Sequence, residues 1–164
     1  MALDSEPPVF PVSIKLTAAR IDAKHTDIAV LGFSNCIVIL VTQLSSVGSL
    51  VQCVVSQLAD TMLADPQHMA DQLANEASVP VDIKFLLGNP GACAASSLYQ
   101  ILATFLSQRK HTQNPSDVRP VVLGIGLDLP RGYKVSMDDG MPDLGAFSST
   151  MNAVGALVDE CRVW

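Results

Sequence analysis

The first third of the chain alternates apolar and polar residues as β-strands do. VSIKLTAARI puts Val12, Ile14, Leu16 and Ala18 on one face and polar side chains on the other, which predicts a half-buried strand. HTDIAVLGF follows after a short turn at residues 22–24. This spacing favours an antiparallel hairpin.

The next stretch, CIVILVTQ, predicts a strand that is apolar on both sides. Its two faces carry, in turn, Ile37, Ile39, Val41 and Cys36, Val38, Leu40. A strand of this kind has to be covered on both faces. LVQCVV follows after a turn that contains Gly48, so the first four strands together predict a β-meander.

Helical spacing marks three later segments. Residues 57–78 carry a stripe that Asp65-Pro66 interrupts, which predicts a broken helix or two short ones on the surface. The clearest amphipathic helix is predicted by the spacing of Leu98, Ile101, Leu102, Phe105 and Leu106. A C-terminal helix is predicted by the stripe of Phe147, Met151, Val154 and Val158.

Two more strands lie between these helices. VPVDIKFLLG predicts a strand with four apolar residues on one face, namely Val81, Ile83, Phe85 and Leu87. VRPVVLGIGL predicts a sixth strand that is apolar on both faces, and residues 128–143 predict a loop. We therefore expect a flexible N-terminal tail at 1–10 and a single domain over 11–164. The order of elements predicts an α+β fold, in which a mostly antiparallel six-stranded sheet carries two main amphipathic helices on one face and dimerises through its other face or an edge.

Composition fits a protein that binds another protein. Of 164 residues, 49% are apolar and 16% are charged, where a quarter is usual for charged residues. Either the core is large or apolar surface is kept for a partner. The net charge of −6 argues against nucleic-acid binding. The basic cluster at residues 109–111 indicates favourable charge at a helix C-terminus.

Location is predicted from what the sequence does not carry. The N-terminal MALDSEPPVF is acidic and rich in proline, unlike a signal peptide, and no apolar run is long enough to cross a membrane. None of the four cysteines forms a C-x-x-C pair. We expect a reduced, soluble protein of the cytoplasm, with the nucleus as an alternative, that binds neither nucleic acid nor membrane.

Candidate chemistry is weak throughout the chain. His25, His68 and His111 have no metal-ligand spacing to Cys, Asp or Glu, and Asp138-Asp139 does not match a calcium loop. Cys93, in the first turn of a predicted helix, is the best nucleophile candidate but has no evident histidine base. The glycine-rich stretches GNPGACAASS and GIGLDLPRG fail the phosphate-loop and dinucleotide patterns. We predict no enzyme, no cofactor and no metal.

Several short motifs carry a family resemblance. IVILVTQLSSVGSLV resembles the strand–turn–strand of the proteasome assembly chaperone 3 family, and DIKFLLG resembles that family's next strand. LATFLSQ is similar to the end of its first long helix, and CRVW to its C-terminal cysteine, variable residue, valine and tryptophan. Order and spacing agree from about residue 13 to residue 164, although 57–78 and 128–143 look longer than in the animal proteins.

The resemblance implies a non-enzymatic, ATP-independent role in assembling the α-ring of the 20S proteasome. Members of the family hold α-type subunits while paired with a similar protein, proteasome assembly chaperone 4; a homodimer is the other arrangement that we consider. Our hypothesis is that one face of the sheet packs on the partner chaperone. The residues expected at that interface are Cys36, Val38, Leu40 and Thr42. The alternation of side chains along the strand fits either assignment, so the opposite face is the alternative interface.

Two other classes of protein remain open at this stage. A longin-like or roadblock-like dimeric scaffold in trafficking or signalling also places helices on an antiparallel sheet, and it would co-purify with GTPases or membrane coats. A small enzyme with a pocket under the 128–143 loop would need titratable groups that converge there.

Overall fold

A computed structural model of the chain describes residues 12–56, 79–88, 94–128 and 144–164. Within these ranges six strands form one sheet and two helices pack on it, which confirms the predicted α+β class. The elements are β1 (Ser13–Ile21), β2 (Lys24–Gly32), β3 (Ile37–Thr42), β4 (Ser49–Val55), β5 (Val81–Leu87), α1 (Ala94–Gln113), β6 (Val121–Gly126) and α2 (Leu144–Glu160). The predictions for the tail at 1–10, the segment at 57–78, Cys93 and the 129–143 part of the loop lie outside the described residues.

The order of strands corrects the predicted meander. Across the sheet the order is β1-β2-β3-β6-β4-β5, so β6 lies between β3 and β4. The β6 strand pairs parallel with β3 and antiparallel with β4, while every other pair is antiparallel. A central position gives the doubly apolar β6 neighbours along both of its edges. The predicted mostly antiparallel sheet is confirmed, with this one parallel pair.

The core lies between the helices and one face of the sheet. In β3 the odd positions Ile37, Ile39 and Val41 are fully buried, whereas the even positions are half-buried. The helix stripes predicted from the sequence face the same core. Its helical members with almost no exposure are Leu98, Leu102, Leu106, Phe147, Val154 and Val158. Both described helices therefore cover the same face, and the opposite face is called the open face below.

The apolar face of β1 that the sequence predicts does not point toward the core. Ile14 and Leu16 lie on the open face and are 44% and 73% exposed. The side that faces the helices carries smaller residues, including Thr17 and Ala19, next to α2. Small side chains let the helix approach this edge of the sheet closely. The larger apolar residues of β1 extend the open face.

The end of β5 also departs from the predicted alternation. Val81, Ile83 and Phe85 pack on the core as predicted, but Leu87 is 63% exposed. The pairing with β4 shifts register, so that Leu50 lies opposite Leu87 while Val51 lies opposite Phe85. A β-bulge of this kind moves the following side chain to the other face of the sheet.

The β1–β2 hairpin contains a strained residue. Asp22 and Ala23 connect the strands with positive φ angles of 50° and 64°. Two-residue hairpin turns require this conformation, and alanine adopts it at a cost that glycine avoids.

We expect Ala23→Gly to stabilise the protein by about 1 kcal/mol, because it relieves the left-handed strain. The matched variant Ala18→Gly lies inside β1 and is expected to destabilise it. Urea unfolding monitored by circular dichroism measures both changes. Equal losses of stability in the two variants would contradict the strain assigned to Ala23.

Candidate partner interface

The open face carries two apolar rows, one of which crosses the whole sheet. Strand register places this row perpendicular to the strands, made of Leu16, Ala29, Leu40, Gly124, Leu50 and Leu87. A second row beside it is apolar across the first four strands of the sheet (Ile14, Leu31, Val38 and Val122) and becomes polar at Gln52 and Lys84. No described helix covers these rows, whose side chains are exposed or half-buried apart from the glycine. An apolar surface of this extent is typical of a protein–protein contact.

Three of the four residues predicted at the interface, Val38, Leu40 and Thr42, lie on this open face. Val38 and Leu40 are half-buried at its centre, and Cys36 is half-buried just before β3 begins. Thr42 lies at the end of the strand, where its hydroxyl donates to the Ser46 carbonyl (3.1 Å) and accepts from the Leu44 N–H (3.2 Å). The structure thus brings Val38, Leu40 and Thr42 onto one face, with the Thr42 hydroxyl bonded to the β3–β4 loop and Cys36 in the turn before the strand.

A groove runs along the open face between β1 and β3. Its volume is about 590 Å³, and the small side chain of Ala29 lies between Leu16 and Leu40 in register. The groove is mostly apolar, with the Asp27 carboxylate at its lining. That carboxylate is 2.9 Å from Nε2 of His25. The shape suits a large apolar side chain from another protein.

A buried polar cluster holds the turn before β3. Lys110, near the end of α1, is 3% exposed and donates to the carbonyls of Asp117 and Arg119. The Asp117 carboxylate accepts from Arg119 Nη2 at 2.6 Å and lies 3.3 Å from Lys110 Nζ. Arg119 Nη1 also donates to the Phe33 carbonyl at 2.7 Å. This cluster, Lys110–Asp117–Arg119, therefore ties α1 and the loop before β6 to the turn beside Cys36.

The charges of the cluster perturb one another. Hydrogen bonds from the Arg119 side chain are the main cause that holds the pKa of Asp117 well below its usual range, with Lys110 adding to the effect. Burial lowers the pKa of Lys110, against the opposing effect of Asp117. The hydrogen bond to Asp117 raises the pKa of Arg119. The cluster is a structural support rather than a reactive site, because each charged group has its partner in place.

The two helices are joined by a second charged contact. Arg109 Nε donates to Asp159 at 3.0 Å, and Gln113 Nε2 donates to the same carboxylate at 2.6 Å. Burial would raise the pKa of Asp159, but these hydrogen bonds outweigh it and the pKa lies below its usual value. Gly155 lets Phe105 pack closely at this crossing, because a Cβ there would lie 2.8 Å from the ring.

Reactive groups are not gathered in the part of the chain that the structure describes. Burial raises the pKa of the thiols of Cys53 and Cys161, which favours the inert protonated form. Within the described ranges no three side chains among His, Cys, Asp and Glu are placed to hold a metal ion. No described helix is both long and apolar enough to span a membrane.

Several residues of the open face and of the buried cluster are missed by sequence reasoning. Leu16, Ile14 and Val122 extend the open face beyond β3. Lys110 is buried, although the sequence indicates only favourable charge at a helix C-terminus. Periodicity shows which residues share a face of one strand. It does not show which faces of different strands become neighbours. The residues that form each row are therefore known only once the register between strands is known.

Comparisons with known proteins find similarity among solved structures. No protein family model matches the chain, and no curated protein matches it. A chain in the crystal structure of "a novel chaperone complex for yeast 20S proteasome assembly" is similar in fold, with a TM-score of 0.49 and 11% identity. The similarity covers 90% of this chain and 98% of that one.

Proposed function

We propose that this protein is a non-enzymatic chaperone that promotes assembly of the α-ring of the 20S proteasome. In this proposal it pairs with a related protein, proteasome assembly chaperone 4, and the pair holds α-type subunits. The cytoplasm, with the nucleus as an alternative, is the proposed location. The link to the proteasome is supported by the sequence motifs that resemble the chaperone 3 family.

The open face is the observation that carries the proposed mechanism. The motif IVILVT forms β3, near the middle of the sheet, and its half-buried side chains lie on that face. One apolar row from β1 to β5 and a second from β1 to β6 contain them. Packing a partner chaperone on this face would bury these rows, as core-like dimer interfaces do. The paired proteins would then offer a composite surface to an α-subunit.

The function is tested by gentle purification of the tagged protein from its native cell extract, followed by mass spectrometry. We expect α-type subunits and a second small chaperone, with few mature β-type subunits. Recovery of GTPases or coat proteins instead would support a trafficking scaffold and contradict the proposal.

The interface is tested by Val38→Asp in the same purification. A carboxylate at the centre of the face would be buried without a partner in the complex, so recovery of the second chaperone should fall by more than about tenfold. The fold should survive, because Val38 is only half-buried in the single chain. Val118→Asp is the matched control, since Val118 lies in a loop and is 67% exposed. Undiminished recovery with Val38→Asp would remove Val38 from the interface.

A further inference from the structure

The outer edge of β5 carries main-chain hydrogen-bonding groups that no described strand uses. Among the described strands β5 is last in the sheet, and none pairs with its outer side. Ser56 N–H donates to the Pro80 carbonyl at 3.0 Å, so the main-chain groups of Pro80 face β4. Because direction alternates along an antiparallel pair, the groups of Val81, Ile83 and Phe85 face away from β4. An exposed edge of this kind is a template for pairing with another strand.

The sequence around this edge is complementary to itself. Residues 79–87 read VPVDIKFLL, with Ile83 at the centre. When a second copy of this segment runs antiparallel with its Ile83 opposite Ile83, every apolar residue lies opposite an apolar one. The opposed pairs are Val79 with Leu87, Pro80 with Leu86, and Val81 with Phe85. The remaining pair sets Asp82 opposite Lys84, and this pair occurs twice because of the two-fold axis.

The charged pair has a favourable position in such an arrangement. Asp82 and Lys84 are exposed residues on the same face of β5. Their main-chain groups face β4, so they would occupy the non-hydrogen-bonded positions of the new pairing. Side chains approach each other most closely at those positions. Asp82 also accepts from Ser56 Oγ at 2.7 Å through its Oδ2 atom.

We propose that two copies of this protein pair antiparallel through β5, about a two-fold axis at Ile83. Val81, Ile83 and Phe85 of each copy exchange main-chain hydrogen bonds, and Asp82 of each copy pairs with Lys84 of the other. The two six-stranded sheets then form one continuous sheet. The axis is perpendicular to that sheet, so both open faces lie on the same side. This interface goes beyond the proposed function and leaves Val38 and Leu40, at the centre of the open face, uncovered.

Charge-reversal variants test this pairing by sedimentation velocity of the full chain over a wide range of concentrations. The wild type should dimerise reversibly. Asp82→Lys and Lys84→Asp should each weaken self-association by about tenfold, because each places like charges opposite each other twice. An equimolar mixture of the two variants should dimerise as tightly as the wild type. In the mixed dimer, both basic residues of one variant lie opposite both acidic residues of the other. The double variant should dimerise as tightly as well.

Two controls separate this interface from folding and from the open face. Ser56→Ala removes the hydrogen bond to Asp82 without changing charge, and it should leave the dimer intact. Thermal unfolding by circular dichroism shows whether each variant is folded. A wild type that stays monomeric would overturn the proposal, as would a mixture that fails to recover dimerisation. A dimer broken by Val38→Asp but not by charge reversal would assign self-association to the open face instead.

The outcome is independent of the chaperone proposal. Asp82→Lys should still recover the second chaperone from cell extract, because Asp82 lies at the β5 border of the open face and is separated from Val38 on β3 by strands β6 and β4. Loss of self-association with normal recovery of that partner would support both proposals. Normal self-association without proteasome subunits would overturn only the proposed function.

Discussion

Asp117→Ala is expected to destabilise the protein by about 3–5 kcal/mol, since it breaks a buried ion pair by removing one member. The Lys110 ammonium would stay buried at 3% exposure without its counter-charge. Arg119 would lose the carboxylate that orients it toward the Phe33 carbonyl. Urea unfolding of the two proteins at neutral pH measures the difference.

The matched control for this variant is Asp159→Ala. Asp159 pairs with Arg109 at the surface, where the two side chains are 23% and 37% exposed. Exposed pairs contribute little, so we expect a loss of about 1 kcal/mol or less. Adding Lys110→Met to Asp117→Ala should recover part of the lost stability, because it removes the unpaired charge. Equal losses for Asp117→Ala and Asp159→Ala would show that the cluster is not a strong support.

Acid unfolding gives a second measure of the same cluster. The pKa of Asp117 is lower in the folded protein than the usual value of about 3.9 in an unfolded chain. The unfolded state therefore binds more protons in acid, and stability falls as the pH drops from about 5 toward the lowered native pKa. Asp117→Ala lacks this contribution, so its stability should change less over that window. An unchanged slope would contradict the lowered pKa.

Much of the fold can be predicted because the spacing of hydrophobic residues along the chain reflects the local geometry of a helix or a strand. Both described helices follow from their stripes, and β3 and β6 follow from apolar runs that only a central strand can bury. The spatial order of the strands is harder to predict, since the crossover that places β6 next to β3 joins segments far apart in sequence. A meander is the simplest arrangement that local patterns predict for the first four strands, but it would leave β6, which is apolar on both faces, at an edge of the sheet.

The extent of the open face could not be predicted for a related reason. Alternation in β1 groups Ile14 with Leu16, but the same alternation fits either side of the sheet. Which side faces the helices depends on their approach to Thr17 and Ala19. Likewise, the burial of Lys110 depends on the loop before β6 folding back over the end of α1. Single-strand or single-helix patterns do not contain that information.

Gly126→Ala is expected to destabilise the protein by about 3 kcal/mol, because the added Cβ would overlap the backbone carbonyl of Ser46. The β3–β4 loop crosses the end of β6 at this point. It is fixed there by hydrogen bonds from Gln43 N–H to the Gly126 carbonyl (2.8 Å) and from Gly48 N–H to the Ile125 carbonyl (3.0 Å). Backbone held at both ends cannot move aside without breaking these bonds.

Gly124→Ala is the matched variant on the same strand and the same face. Its Cβ would lie 2.6 Å from Cδ2 of Leu40, but that atom is the end of a flexible, half-buried side chain. Leu40 can rotate toward the open face, so we expect a loss of about 1 kcal/mol or less. Thermal unfolding ranks the two variants. A larger loss for Gly124→Ala would mean that Leu40 is held more rigidly than the loop, and hence that the open face is already fixed before a partner binds.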